Sequence, residues 1–259
     1  MEDLSPLLHT QNPQQRFSNR AEDYAKYRPS YPVAAIDQIL AGLDQPVAAD
    51  IGAGTGISAR LLADRGVTKV WAIEPNTAMY TAAQSHPRVE FRQGSAEQTG
   101  LNSQSVDLIT CCQAFHWFEP IATLAEFHRI LKPAGRLALM WNERDQADPF
   151  TQEHNQIIRV AADRQFFDSP SCTDAAPLAE STLFINYRVY TFPFVQLLNL
   201  ESLIGLALSS SYIPKEGAAH DQMIADLRTL YERWVGRSSG DFVPLAYCTS
   251  LYLADAKVV

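Results

Sequence analysis

Short apolar runs alternate with amphipathic segments between positions 47 and 142, and this rhythm restricts the fold more than any other feature of the chain. The apolar runs, each short enough for one strand, lie at 47–52, 69–74, 88–94, 105–112 and 135–142. The segments between them that have helical periodicity lie at 57–66, 76–85 and 121–131. Strands that alternate with helices of this length form right-handed βαβ units around a parallel sheet. Runs that are apolar at nearly every position indicate strands covered on both faces. We therefore predict an α/β fold with a doubly wound, mostly parallel sheet.

The chain departs from this rhythm on both sides. Before it, residues 17–43 predict two short helices separated at RPSYP, because Pro29 and Pro32 disfavour helix in the residues that precede them. After it come predicted helices and strands in irregular order, with helices at 148–165, 198–213 and 218–236 and strands at 184–194 and 243–254. With these two strands the sheet has seven, and the two late helices form an insertion, 196–240, that could cover a pocket.

No linker divides the chain clearly, so we predict one domain over residues 1–259. Its parts are N-terminal lid helices at 17–43, a core at 44–145, and C-terminal strands with the helical insertion at 146–259.

Composition excludes several classes of protein. The 259 residues carry a formal charge of −8 and no local cluster of Lys and Arg, which argues against a nucleic-acid partner and against an anionic membrane surface. The N-terminus lacks the pattern of a signal peptide, and no apolar run has the length of a membrane span. The cysteines show no CxxC spacing and predict neither zinc nor disulfides; they are Cys111, Cys112, Cys172 and Cys248. We expect a cytoplasmic protein.

A glycine loop, DIGAGTG, follows the first predicted strand and leads into a helix. Such a loop binds a nucleotide or a similar ligand at the carboxyl edge of the sheet. The sequence excludes a Walker loop, because no Lys follows Gly56. The dinucleotide pattern GxGxxG would require a third glycine at position 57, which is Ile57. The observed G-x-G-x-G spacing therefore disfavours an NAD-dependent oxidoreductase, which stays as the alternative enzyme class.

Five segments that follow one another on successive strand ends carry a resemblance to a known family. They are DIGAGTG, AIEPN, QGSAEQTGL, SVDLITCCQAFHWF and RILKPAGRLALMWNE. In this order they resemble the class I S-adenosylmethionine-dependent methyltransferases, and within them the small-molecule (type 11) branch that includes trans-aconitate and ubiquinone-biosynthesis methyltransferases. The segment RAEDYAKYRPSYP, before the first strand, resembles one subgroup of that branch. The resemblance covers about residues 17–145, and the C-terminal third carries no recognisable motif.

The resemblance implies a Rossmann-like methyltransferase fold, S-adenosylmethionine as cofactor, and direct SN2 transfer of its methyl group to a small-molecule acceptor. It implies that Glu74 binds the ribose diol, that Ser95, Ala96 and Glu97 border the adenine, and that Gln113 lies near the methionine part. Asp50 either positions the glycine loop or meets the methionine ammonium. The full set of expected cofactor-binding residues is Tyr24, Arg28, Asp50, Gly52, Ala53, Gly54, Gly56, Glu74, Pro75, Ser95, Ala96, Glu97 and Gln113.

Candidate residues for the acceptor leave more alternatives open. His116 is either a general base, a substrate contact or a packing histidine beside Trp117. Arg28 among tyrosines suggests a lid with a carboxylate-binding cation, whereas Tyr24, Tyr27 and Tyr31 also have the spacing of a helical packing stripe. The run SSSY at 209–212 either lines the acceptor pocket or ends a helix. The expected substrate-binding set is Arg28, Tyr31, His116, Trp117 and Tyr212.

The nature of the acceptor decides the chemistry that the protein must supply. A carboxylate acceptor needs no base and would be held by Arg28, as the trans-aconitate resemblance suggests. A hydroxyl or a carbon acid would need His116 as the base. No carboxylate–histidine cluster with ligand spacing predicts a metal. A SAM-binding module without catalytic activity is the further alternative, and the sequence leaves the oligomeric state open.

Overall fold

The computed structural model describes residues 19–162, 175–236 and 240–258. Cys172 and most of the residues that precede 175 in the late loop lie outside this part of the chain. Within the three ranges, no helix combines the length and the apolar character needed to cross a membrane.

Nine α-helices and seven strands make up the described part. The helices are α1 (Ala21–Tyr27), α2 (Val33–Leu40), α3 (Ile57–Asp64), α4 (Thr77–Thr81), α5 (Pro120–Ile130), α6 (Pro149–Ala161), α7 (Ala176–Ala179), α8 (Leu200–Leu208) and α9 (Ala218–Val235). The strands are β1 (Val47–Ile51), β2 (Lys69–Ile73), β3 (Val89–Arg92), β4 (Val106–Cys112), β5 (Leu131–Arg144), β6 (Phe184–Leu198) and β7 (Val243–Ala256).

All seven strands form one sheet in the order β3-β2-β1-β4-β5-β7-β6. The first five pair in parallel, and β7 pairs antiparallel with both β5 and β6. The prediction of a doubly wound, mostly parallel sheet is confirmed. The order reverses between β1 and β4, so the glycine loop lies at the switch point where open α/β sheets bind ligands.

The start of β5 differs from the prediction. The sequence KPAG suggested a turn before a strand at 135, but β5 begins at Leu131, directly after α5. Leu131 pairs with Val106 and Arg136 with Leu108, so the residues between them bulge out of the ladder. Ala134 has a φ of 59°, which places the expected turn inside a bulge of the strand.

Each face of the sheet is covered by its own helices. On one face, the apolar side chains of the central strands pack with α2 and α3, whose buried residues include Ile36, Ile39 and Leu62. On the other face they pack with α5, whose Leu124 and Phe127 are buried. A third cluster joins α6, α8 and α9 to the ends of β6 and β7. The two helices between the last strands therefore do form a separate layer, beyond the carboxyl end of β5.

Candidate functional site

The glycine loop turns sharply at the end of β1. Gly52, Gly54 and Gly56 all have positive φ angles, of 68°, 57° and 76°, which side chains with a Cβ rarely adopt. A Cβ on Gly52 would lie 2.7 Å from the Cβ of Ala114. The N–H groups of Gly52 and Ala53 both donate to the carbonyl of Ile73. The loop is thus fixed by β2 on one side and by the segment after β4 on the other.

Glu74 lies at the end of β2 with its carboxylate against the glycine loop. Oε2 accepts a hydrogen bond from the N–H of Gly54 at 2.7 Å, and Oε1 accepts one from the N–H of Asn76 at 2.8 Å. The side chain is buried, and burial is the main reason why its pKa is raised, while these two hydrogen bonds act in the opposite direction. Each oxygen keeps a second lone pair, so the carboxylate can still accept from the two hydroxyls of a diol.

Asp50 is enclosed beneath the same loop. Its oxygens accept hydrogen bonds from the hydroxyls of Ser58, at 2.6 Å, and Thr110, at 2.7 Å, and the residue is fully buried. Burial raises its pKa to about 6. Of the two roles that the sequence left open, these contacts fit the one in which Asp50 positions the loop, because the carboxylate does not reach a surface that a ligand could touch.

Helix α1 lies over the glycine loop. The Cε1 atom of Tyr24 is 3.8 Å from the position that a Cβ on Gly54 would occupy, and burial raises the pKa of the Tyr24 phenol. The guanidinium of Arg28 stacks on the Tyr24 ring, 4.8 Å from its centroid. Because α1 ends at Tyr27 and Arg28 is extended, the three tyrosines do not form one stripe. Tyr27 faces α8, and Tyr31 is buried in the core near Ile36. The predicted contact between Tyr31 and a substrate therefore has no accessible side chain to support it.

Arg28 has only uncharged partners in the part of the chain that the structure describes. Its Nη2 donates to the carbonyl of Ser209 at 3.2 Å and to Oγ of Ser210 at 3.4 Å. Its Nε is enclosed and has no hydrogen-bond partner. The described residues supply no carboxylate in an ion pair with it. A buried N–H without an acceptor is unfavourable, so the site favours a ligand that brings one.

The residues after β3 lie as a short irregular segment beside the N-terminus of α5. Ala96 is buried, and the Ser95 hydroxyl accepts from the N–H of Gln98 at 3.2 Å. Oε1 of Glu97 accepts from the N–H of Glu119 at 3.1 Å. This contact fixes the Glu97 side chain and leaves one of its oxygens for another donor. Pro75 lines an open cleft of about 1040 Å³ between the start of α1 and α4.

The segment after β4 brings Gln113, His116 and Trp117 beside the loop. Gln113 has a φ of 57°, a conformation that is strained for a residue with a Cβ and that is common at functional sites. Its Nε2 donates to the carbonyl of Asn142 at 3.1 Å. Nδ1 of His116 accepts a hydrogen bond from the indole N–H of Trp141 at 3.3 Å. Burial lowers the pKa of His116 to about 4.

Two residues that sequence reasoning did not assign hold these parts together. The side chain of Asn142 donates to the carbonyl of Ser30 at 2.9 Å and accepts from the Thr249 hydroxyl at 2.6 Å. Trp141 is fully buried and orients the His116 ring. Both residues follow an apolar strand at its carboxyl end, which is the one signal that could have found them. Tyr212, predicted as a substrate contact, is half-buried and lies in electrostatic reach of Tyr247.

These features fit S-adenosylmethionine as the ligand. Glu74 offers two acceptor oxygens for a ribose diol, and the Thr55 hydroxyl within the glycine loop is enclosed without a partner. The loop presents no lysine for phosphates. Within the three described ranges, no group of three or more His, Cys, Asp and Glu side chains is arranged to hold a metal ion.

Comparison with known proteins identifies the family. A family model described as a methyltransferase domain matches residues 49–139. An uncharacterized methyltransferase-like protein from Schizosaccharomyces pombe is 33% identical over 248 residues, which cover 93% of this chain and 95% of the relative.

Solved structures agree on the fold. A protein from Anaeromyxobacter dehalogenans, provisionally named a type II methyltransferase, superimposes with a TM-score of 0.63 at 20% identity and covers 89% of this chain and 98% of its own. Phosphoethanolamine N-methyltransferase 2 from Haemonchus contortus, solved with S-adenosyl-L-methionine, gives a TM-score of 0.54 at 14% identity over 93% of this chain and 57% of its own. Together with the sequence match, this fold confirms the predicted family, and the chain belongs to the S-adenosylmethionine-dependent methyltransferases.

Proposed function

We propose that this methyltransferase transfers the methyl group of S-adenosylmethionine to a small carboxylic acid, which Arg28 holds by its carboxylate. The observation that supports this acceptor most strongly is the half-buried guanidinium with an enclosed, unpartnered Nε and no carboxylate partner among the described residues. A guanidinium binds a carboxylate through two parallel hydrogen bonds, which neutral donors do not match.

We further propose how the site divides between the two substrates. Glu74 and the glycine loop hold the nucleoside and the methionine part, with Ser95, Ala96, Glu97 and Pro75 beside the adenosine. Helix α1 covers this half through Tyr24, whose ring lies against Gly54. Arg28, four residues further on, then lies at the border between the cofactor and the space below α8. This order brings a carboxylate held by Arg28 close to the methyl donor.

The chemistry asks little of the protein beyond placement. The bound cofactor supplies an activated methyl group on a sulfonium. An ionised carboxylate has no proton to lose, so the side chains need only orient it in line and exclude water. The oxygen–methyl bond forms as the methyl–sulfur bond breaks, and the electron pair goes to sulfur. The products are a methyl ester and S-adenosylhomocysteine.

The test is an acceptor screen with matched pairs of compounds. Small carboxylic acids and the corresponding amides are incubated with the protein and S-adenosylmethionine, and S-adenosylhomocysteine is measured. We expect turnover of acids and none of amides. Arg28→Gln should raise the acceptor KM about 10- to 100-fold, the range of a lost hydrogen bond to a charged group, and change the Kd for S-adenosylmethionine less.

Arg65→Gln is the matched control, because Arg65 is an exposed arginine that pairs with Asp37 on the surface. Turnover of amides as fast as acids, or an unchanged KM in Arg28→Gln, would reject the carboxylate acceptor. Binding of S-adenosylmethionine without turnover of any acceptor would favour the non-catalytic module.

A further inference from the structure

The tautomer of His116 follows from its contact with Trp141. An indole N–H can only donate, so Nδ1 of His116 must accept and carries no proton. In the neutral ring the proton is then on Nε2. Trp141 is fully buried in the core beside the sheet, which leaves its indole little freedom to turn away.

The second ring nitrogen of His116 points out of the core. The two ring nitrogens diverge, so Nε2 faces away from the buried indole that holds Nδ1. Nε2 is not enclosed, and it has no hydrogen-bond partner among the residues that the structure describes. His116 therefore presents an accessible N–H donor.

This donor lies beside the methyl-donor half of the site. His116 belongs to a short 3₁₀ turn, Phe115–Trp117, and residues on both sides of that turn contact the glycine loop. The Cβ of Ala114 and the ring of Phe118 lie 2.7 Å and 2.9 Å from the position that a Cβ on Gly52 would occupy.

We propose that His116 acts as a hydrogen-bond donor to the acceptor, through Nε2–H, and takes no proton from it. This inference rests on the proposed carboxylate acceptor. The N–H binds the carboxylate oxygen that does not attack, so that the other oxygen faces the methyl group while Arg28 fixes the charge. The proton stays on Nε2 throughout, and the bond changes are those of the ester formation given above.

The electrostatics of the ring agree with a donor that stays neutral. Burial alone lowers the pKa of His116, to about 4, and no charged side chain contributes to the shift. The groups packed against the ring are the indoles of Trp117 and Trp141, which do not titrate. A base would need a pKa nearer the working pH.

The first experiment reads the tautomer without any acceptor. In the full-length protein labelled with ¹⁵N-histidine, NMR should show a hydrogen-free Nδ1 and a protonated Nε2 for His116, unchanged from pH 5.5 to 8. A His116→Gln spectrum assigns the signal by its loss. A proton on Nδ1, or titration of the ring within that range, would overturn the donor role whatever the acceptor is.

The second experiment uses acids that the screen shows to be turned over. His116→Ala should lower kcat/KM about 10- to 100-fold. His116→Gln, whose amide N–H₂ can replace Nε2–H, should recover most of this loss, and the wild-type rate should show no limb with a pKa above 5. His220→Gln, in α9, is the control, since His220 pairs with its neighbour Asp221.

The outcomes separate this inference from the function on which it rests. If no acid is turned over, the carboxylate acceptor is rejected and the donor role with it. If acids are turned over but His116→Gln is as slow as His116→Ala, or a limb above pH 6 disappears in both variants, the donor role alone is rejected.

Discussion

At the scale of single residues, the carboxylate of Glu74 connects the glycine loop, the end of β2 and the expected ribose. Its two oxygens are fixed by backbone N–H groups of Gly54 and Asn76, and these contacts orient the second lone pairs toward a ligand. The motif alone predicted the residue and its role. It did not predict that Asn76 would donate through its backbone, because a backbone contact leaves no mark on residue type.

Glu74→Gln tests this arrangement. The amide offers one acceptor oxygen in place of two, so either a backbone N–H or a ligand hydroxyl loses its partner. We expect the Kd for S-adenosylmethionine to rise about 10- to 100-fold, measured by calorimetry. Glu90→Gln, an exposed carboxylate on β3 that pairs with Lys69, should leave the Kd unchanged. An unchanged Kd in Glu74→Gln would contradict the assignment.

Asp50 gives a pH-dependent prediction at the same scale. Its pKa is about 6 in the folded protein and near 3.8 in the unfolded chain, so the folded state binds the proton more tightly between these values. The free energy of unfolding of the wild type should therefore rise, relative to Asp50→Asn, as the pH falls from about 6 to about 4. Urea titrations at pH 4.5 and 7.5 measure the difference. The exposed Asp44→Asn should show no such change, and a wild type that gains nothing at pH 4.5 would refute the assignment.

At the scale of elements, α1 is fastened to α8 and to the turn that follows it. Arg20 donates to the carbonyls of Leu208 and Ile213, and Lys26 and Tyr27 both donate to Glu201. The Tyr27 ring fills the space that Gly205 leaves open: a Cβ there would lie 2.2 Å from the ring. The roof of the site is therefore built by α1 and α8 together.

Gly205→Ala should disturb this roof. The new methyl group meets the Tyr27 ring, and we expect the free energy of unfolding to fall by about 1–3 kcal/mol, as in other overpacked sites. Tyr27→Leu combined with Gly205→Ala should recover part of the loss in a double-mutant cycle followed by urea denaturation. Gly236→Ala, where a Cβ would meet no atom closer than 3.8 Å, is the control. Additive effects of the two changes would contradict the contact.

The contacts of this roof explain why part of the site escaped sequence reasoning. Strands and helices between 47 and 130 were predicted nearly to the residue, because their periodicity and their glycines act locally. The pairing of Tyr27 with Gly205 and of Trp141 with His116 depends on contacts between segments that are distant along the chain. No local pattern encodes these partners. A helical spacing of tyrosines even suggested one stripe, whereas Pro29 and Pro32 end α1 and separate them.

At the scale of the whole molecule, the family and the sheet were predictable because the motifs lie at the ends of successive strands. The same architecture also serves dinucleotide enzymes, so the choice of ligand depends on the loop and not on the fold. The spacing of Gly52, Gly54 and Gly56 and the enclosed loop make that choice in favour of S-adenosylmethionine.

Ligand-dependent stability tests the choice on the intact protein. S-adenosylmethionine or S-adenosylhomocysteine at 100 times its Kd should raise the free energy of unfolding by about 2.7 kcal/mol, visible as a higher Tm. NAD at the same concentration should leave Tm unchanged. A shift with NAD and none with the sulfur ligands would overturn the assignment of the cofactor.

The fastening of α1 also has a consequence for the order in which the protein forms during synthesis. The bond from Arg20 to Leu208 spans 188 residues. At about 5–20 residues per second, the ribosome needs roughly 10–40 s to make the segment between them. The parallel strands β1 to β5 can pair during that interval, while α1 emerges first and waits for its partner. We conclude that the newly made chain completes its glycine loop well before it can close the roof above it.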